Sequence, residues 1–361
     1  MDVEQSRSLQ GDTSGITPNT CEIGNDYDGR MGLRVSSIFV IMAGSMTAAL
    51  FPVLVMRSKT VGAKWERIAQ RTFFIAKYFG SGVIIATAFI HLLAPAEEAL
   101  RDDCLAGSIS KYPWVEGIIL MTIVAMFLVE SMIMRHSSLD SSQQNEIVDN
   151  GDRCFGDVDT SGGWNQAKRH ALMDENLRHP QQYQDTEMAR GNLAFADDYA
   201  GQLVGVFVLE FGIIFHSIFI GLTLAVAGSE FDTLYIVLTF HQTFEGLGLG
   251  SRLAMIPWPS SRRWTPYVLA IAYGLTTPIA VAVGLGVRNT YPPSARSTLI
   301  VNGVFDAISA GILIYTGLIE LIARDFLFSS FMRRAPLCTV WSAILLLCLG
   351  AGLMALLGRW A

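Results

Sequence analysis

Apolar residues gather along this chain into runs of roughly twenty, separated by polar breaks. The runs cover 35–56, 72–94, 114–134, 203–227, 233–254, 266–287, 298–320 and 337–357. A helix rising about 1.5 Å per residue needs about 20 residues to cross a hydrocarbon core about 30 Å thick. The pattern therefore predicts an all-α polytopic membrane protein with eight transmembrane helices. Pro52 and Pro278 fall inside runs and should kink them, which neighbouring helices can accommodate.

Composition narrows the class further. The chain has 361 residues, 51% hydrophobic and only 16% charged, whereas a globular protein carries about 25% charged residues. The net charge of −6 is modest, and no nucleic-acid partner is expected; the solvent is a lipid bilayer. The segments read as a polar tail over 1–34, helices one to three over 35–134, a long polar connection over 135–200, helices four and five over 201–254, and helices six to eight over 255–361. The tail lacks a secretory signal pattern, so the first run is expected to double as the targeting element. The 135–200 connection is rich in Ser, Gln, Asn and Asp and should be largely disordered. Its three histidines, His136, His170 and His179, are too scattered to form a cluster.

Lysine and arginine set the orientation. The breaks after runs one, five and seven hold most of them, among them Arg57, Lys64, Arg67, Arg262, Arg333 and Arg334, and the breaks after runs two, four and six hold few. The first set should be cytosolic, as should 135–200, leaving both termini extracellular. Cys21 and Cys104 would then share the oxidising side, where a disulfide between them is compatible with the compartment. Cys338 and Cys348 read as small core residues of an apolar helix.

Chemistry concentrates in runs four and five. His216 lies about 20 Å along the fourth run from its cytosolic end; His241 and Glu245 lie about 12 and 18 Å into the fifth from outside. His241 and Glu245 are four residues apart and share a helix face. The two runs are joined by a short turn and should be antiparallel neighbours. Two imidazoles and a carboxylate can thus meet at mid-membrane, where ionisable groups are costly and mark a site by default. That donor set suits Zn²⁺, and nearly as well Fe²⁺, Mn²⁺ or Co²⁺. Gln242 and Ser217 are adjacent oxygen donors. His91, Glu97 and Glu98 at the outer end of run two, Asp306 in run seven and Glu320 near its inner end extend the series into a pathway. For each, helix packing or a solvated helix end is the alternative. Glu210, Glu130 and Lys77 lie toward the cytosolic ends and are expected to snorkel or pair.

Particular stretches carry a resemblance: GNDYDGRMGLRVSSIFVI entering run one, ATAFIHLLAPA in run two, HSIFIGL in run four and HQTFEGLGLGSRLA in run five. AYGLTTPIAVAVGLGVR in run six, DAISAGILIYTGLIELIARDF in run seven and the final GRWA complete it. The chain resembles the Zrt/Irt-like (ZIP) metal transporters, most closely the fungal plasma-membrane zinc importers. The resemblance implies a 3+2+3 arrangement with the outer triplets as inverted repeats, metal uptake toward the cytosol, and the metal held by helices four and five. Ile220 stands where many relatives carry an acidic residue, and Gln242 where many carry a second carboxylate. One ion rather than two is therefore expected, held by His216, His241 and Glu245 with Gln242 as fourth ligand.

The expected function is zinc uptake across the plasma membrane by alternating access, with no enzymatic step and no resident cofactor. Fe²⁺, Mn²⁺, Co²⁺ or Cd²⁺ are alternative cargoes, and a homodimer is a candidate assembly. Glu97 and Glu98 would gather the ion, His91 and Asp306 pass it inward, and the triplets rock against helices four and five. Metal binding needs neutral imidazole, so affinity should fall at acidic external pH. No GxxxxGK[ST] loop is present; the metal gradient and the membrane potential, about 2.3 kcal/mol per charge per 100 mV, would drive flux. Two other classes use similar residues: an intramembrane metal hydrolase, and a haem protein with His216 and His241 as axial ligands.

Overall fold

The computed structural model describes residues 27–57, 63–105, 111–151, 201–288 and 295–360. Eight long helices account for most of them. They are Met31–Arg57 (α1), the continuous run Ala63–Ala86, Thr87–Leu93 and Ala94–Leu100 (α2), Trp114–Gly151 (α3), Gly201–Val226 (α4), Phe231–Met255 (α5), Thr265–Val287 (α6), Arg296–Thr316 continuing through Gly317–Phe328 (α7), and Leu337–Leu357 (α8). Among the described residues there is no strand.

Seven of these helices are long and apolar enough to cross a membrane. The remaining one, α5, has 25 residues, about 37 Å at 1.5 Å per residue. It has the length but carries Asp232, His241, Gln242, Glu245 and Arg252. Asp232 lies in its first turn and Arg252 in its last, as the helix dipole favours.

Several ends differ from expectation. α2 begins at Ala63 rather than 72, so Lys64, Arg67 and Arg71 ride on a helix and not in a loop. α3 runs on to Gly151, so the first part of the 135–200 connection, expected to be disordered, is helical. The first has a plain cause: a helix does not stop where the apolar run stops if the residues beyond it, here Ala63, Lys64, Glu66, Arg67, Ala69, Gln70 and Arg71, are themselves good helix formers. Two segments are π-helical, Thr87–Leu93 in α2 and Gly317–Phe328 in α7. Cys338 and Cys348, expected in the core, are free and exposed on α8. Cys104 is disulfide-bonded; Cys21, its expected partner, lies outside the described residues.

The bundle buries small and polar residues and turns large apolar ones outward. Ser45, Ser217, Thr277, Gln242 and Glu245 are at most 1% exposed, while Met121, Phe127, Ile236 and Leu345 are each more than half exposed. That is the distribution a lipid-facing surface requires, since lipid tails are as apolar as leucine and interfaces must be built by close packing and polar contacts. α5 sits against α1 and α2, α1 also against α6, α2 against α8, and α7 against α3 and the π segment of α2. α4 meets α6 at Gly221 against Ala280 and α7 at Gly212 against Leu313.

Candidate metal centre

The centre is assembled by α2, α4, α5 and α7. His216 of α4 and His241 of α5 are 2% and 0% exposed, with ring centroids 5.6 Å apart. His241 Nε2 lies 3.7 Å from Glu245 Oε2, one turn along α5. His216 Nδ1 lies 3.7 Å from Asp306 Oδ1 of α7. His91, from the π segment of α2, brings its ring within 4.6 Å of His241, centroid to centroid. His216, His241 and Glu245 are thus brought together, and His91 and Asp306 stand beside them rather than farther out.

These groups have little to bond to. Both nitrogens of His216 and His241, both oxygens of Glu245 and Oδ1 of Asp306 are buried without a hydrogen-bond partner among the described residues. Leaving one such atom unsatisfied costs about 1–3 kcal/mol, so a concentration of them at one place marks a position kept for something else. Among the described residues no three His, Cys, Asp or Glu side chains are already close enough to hold an ion. For each imidazole–carboxylate pair taken alone the shortfall is small. Two ligands at about 2.0–2.1 Å on a tetrahedral ion are about 3.3 Å apart, and the two imidazole–carboxylate separations are each 3.7 Å.

Gln242 is fixed by donation. Its Nε2 donates to Ser217 Oγ at 3.2 Å and to Thr277 Oγ1, which leaves Oε1 unpartnered. Ser217 and Thr277 therefore aim the amide so that its oxygen is free. The Tyr273 hydroxyl donates to the Gln242 carbonyl at 2.7 Å and ties α6 to α5 at this level. Thr277 and Tyr273 were not among the expected site residues; the only signal was the polar interruption of an apolar run in AYGLTTP.

Two cavities flank the centre. One, about 360 Å³, is lined by His91, Glu98, Asp102, His216, Asn302 and Asp306 among others. Asp102 and Asn302 are additions to the expected set. Ile220 also lines it, one turn from His216. The other, about 370 Å³, lies toward the opposite helix ends and is lined by Val206, Leu209, Arg252, Glu320, Arg324 and Asp325. None of the described histidines lines it. Glu97 turns to Arg101 at 3.0 Å and is not part of either lining. Glu320 pairs with Arg324 at 2.7 Å in the second cavity. Beside that cavity Asp325 joins Lys77 of α2 at 3.0 Å and Arg252 of α5 at 3.2 Å.

Of the three groups expected to snorkel or pair, two do: Lys77 pairs with Asp325, and Glu130 accepts a hydrogen bond from the Tyr315 hydroxyl. Glu210 does neither. It is 3% exposed and both its oxygens are without a partner among the described residues.

Comparison with known proteins follows the same lines. The model of a family described as ZIP zinc transporters matches residues 31–358. Zinc-regulated transporter 2 of Saccharomyces cerevisiae is 40% identical, over 95% of this chain and 97% of its own. Zinc-regulated transporter 1 of the same yeast is 39% identical over 94% and 90%, and zinc-regulated transporter 1 of Schizosaccharomyces pombe is 38% identical over 93% and 87%.

Proposed function

The chain belongs to the family of ZIP zinc transporters, and from that premise we propose that it takes up Zn²⁺ across the plasma membrane into the cytosol by alternating access, as a transporter and not an enzyme. His216, His241 and Glu245 are the ion's midway ligands, Gln242 Oε1 completes the shell, and Ser217 orients Gln242. The observation that carries this reading is the group of buried, unpartnered imidazole and carboxylate atoms where α4 and α5 meet.

The cavity holding His91, Glu98, Asp306 and His216 is the entrance, and the one holding Arg252, Glu320 and Asp325 is the exit. With the centre reaching only the first, the state described faces outward. The helix contacts support a 3+2+3 inverted repeat, because α2 against α8 answers to α7 against α3, and α1 against α5 to α4 against α6. Such repeats with a midplane site are general in transporters. Both termini are then extracellular. An imidazole–carboxylate shell separates zinc poorly from Fe²⁺, Mn²⁺, Co²⁺ or Cd²⁺, so those ions should compete.

The test is radiolabelled zinc uptake in cells deprived of their own importers. Expression of the chain should restore uptake, and the double variant His216→Ala, His241→Ala should lose nearly all of it at equal surface level. Full uptake by that variant would end the proposal.

A further inference from the structure

Among the described residues, Glu210 is the one carboxylate of the bundle interior that neither the centre nor the charged pairs account for. It is 3% exposed, with both oxygens buried and unpartnered among the described residues. An ionised carboxylate in such a place is strongly disfavoured unless a cation accompanies it. A merely structural side chain would have been apolar here, like its neighbours Leu209 and Ile213, at 1% and 0% exposure.

Its position along α4 is specific. Seven residues separate Glu210 from Ser217, two helical turns, so the two lie on one face about 10 Å apart. Ser217 touches Gln242 at the centre. In the other direction, Val206 and Leu209 line the second cavity, so Glu210 lies within about one turn, roughly 5 Å, of its end wall. The centre does not reach that cavity, and Glu210 lies in the interval between them. A dication leaving two imidazoles and a carboxylate would otherwise cross this interval with apolar groups on that face of α4.

We propose that Glu210 is a transit ligand for the dication, a stopping place between the His216–His241–Glu245 centre and the second cavity. This rests on the transport reading above. When α4 and its neighbours open the second cavity upward, the carboxylate becomes the first oxygen donor the ion meets. It lowers the barrier to release without taking part in capture from the other side.

The experiment is radiolabelled zinc uptake, per molecule at the cell surface, by E210Q and E210H. Gln keeps the shape and hydrogen-bonding atoms but is a poor ligand; His is a different shape and a good one. The expected result is a maximal rate reduced at least tenfold in E210Q, with the half-saturating external zinc unchanged or lowered, and recovery to at least a third of the wild-type rate in E210H. A structural carboxylate would not be rescued by imidazole where its own amide fails. E210Q within twofold of wild type overturns the proposal, as does loss in both variants at normal surface level. Failure of both to reach the surface makes the residue structural and also overturns it. Each of these outcomes leaves the transport reading standing, because that reading is tested separately, by uptake with the wild-type chain and with the His216→Ala, His241→Ala variant.

Discussion

The ring of His91 stands edge-on to the ring of His241, with centroids 4.6 Å apart and planes at 86°. The contact joins α2 to α5 at the depth of the centre. His91 Nε2 lies 3.1 Å from the Met354 carbonyl of α8. A carbonyl only accepts, so Nε2 donates, and the neutral ring carries its lone pair at Nδ1. The π segment Thr87–Leu93 places the ring there; such segments often occur at functional sites. His91→Ala should raise half-saturating zinc threefold to tenfold, a change of about 0.7–1.4 kcal/mol, at unchanged surface level. A zinc titration of uptake measures it, and an unchanged half-saturation value would remove His91 from the path.

Asp325 ties three helices at the second cavity, meeting Lys77 of α2 at 3.0 Å and Arg252 of α5 at 3.2 Å from its place in α7. All three side chains are at most 14% exposed. Removing one partner of a buried pair typically costs about 3–5 kcal/mol, enough to shift a two-state equilibrium strongly. Asp325→Asn should favour the state open at this end. A cysteine introduced by V206C should then react severalfold faster with a cytosolic thiol reagent in the Asn background than in the native one. Equal rates would show that the tie does not hold the exit closed.

Gly250 brings α5 onto α1. A Cβ there would run into the Ala49 carbonyl oxygen and lie 3.0 Å from Ala49 Cα. Neither neighbour is a flexible side chain, so the helices must separate. Gly250→Ala should cost about 1–3 kcal/mol, as overpacked interiors do, read as a lower melting temperature in detergent. Gly352, inside α8, whose added Cβ meets nothing within 4 Å, is the control: Gly352→Ala should melt at or slightly above the wild-type temperature.

The turn entering α1 is pinned to the end of α4. Arg34, 0% exposed, donates to the carbonyls of Leu224 at 3.2 Å, Ala225 at 2.9 Å and Ala227 at 2.5 Å, and to Asp28 at 2.7 Å. Its guanidinium lies over the rings of both Tyr27 and Phe231, at 4.6 and 4.4 Å. Hydrogen bonds from Arg30 and then Arg34 hold the Asp28 carboxyl below the usual carboxylate range. A depressed folded value means that the stabilisation is present above the unfolded value, about 3.9, and is lost as pH falls through the folded one. Asp28→Asn should therefore lower the melting temperature by a constant amount above about pH 5, with the difference starting to shrink near about pH 4 and vanishing only below the depressed folded value. A difference that grows, rather than shrinks, as pH falls below the unfolded carboxyl value would contradict this assignment.

Much of the architecture was legible because the bilayer imposes a length. All eight apolar runs recur as helices, Leu337–Leu357 with the expected bounds. The polar face of α5 was legible too, since His241 and Glu245 stand one turn apart whatever the tertiary structure. Helix ends were not: Lys64, Arg67 and Arg71 look like a loop by charge but continue α2. Nor were the partners of buried charges. Lys77 and Asp325 meet only through the packing of α2 with α7, and local pattern holds no trace of it. The closeness of His91 to His241 depends on a π segment, a local change of helical register that hydrophobic periodicity does not reveal.

The central claim is that His216, His241 and Glu245 hold the ion directly. X-ray absorption at the zinc edge of purified protein with one equivalent of Zn²⁺ reads that shell. The account predicts nitrogen and oxygen ligands at about 2.0–2.1 Å, imidazole scattering from two rings, and loss of one ring's share in His241→Ala. A shell with sulfur at about 2.3 Å, or one unchanged in the His216→Ala, His241→Ala variant, would contradict it.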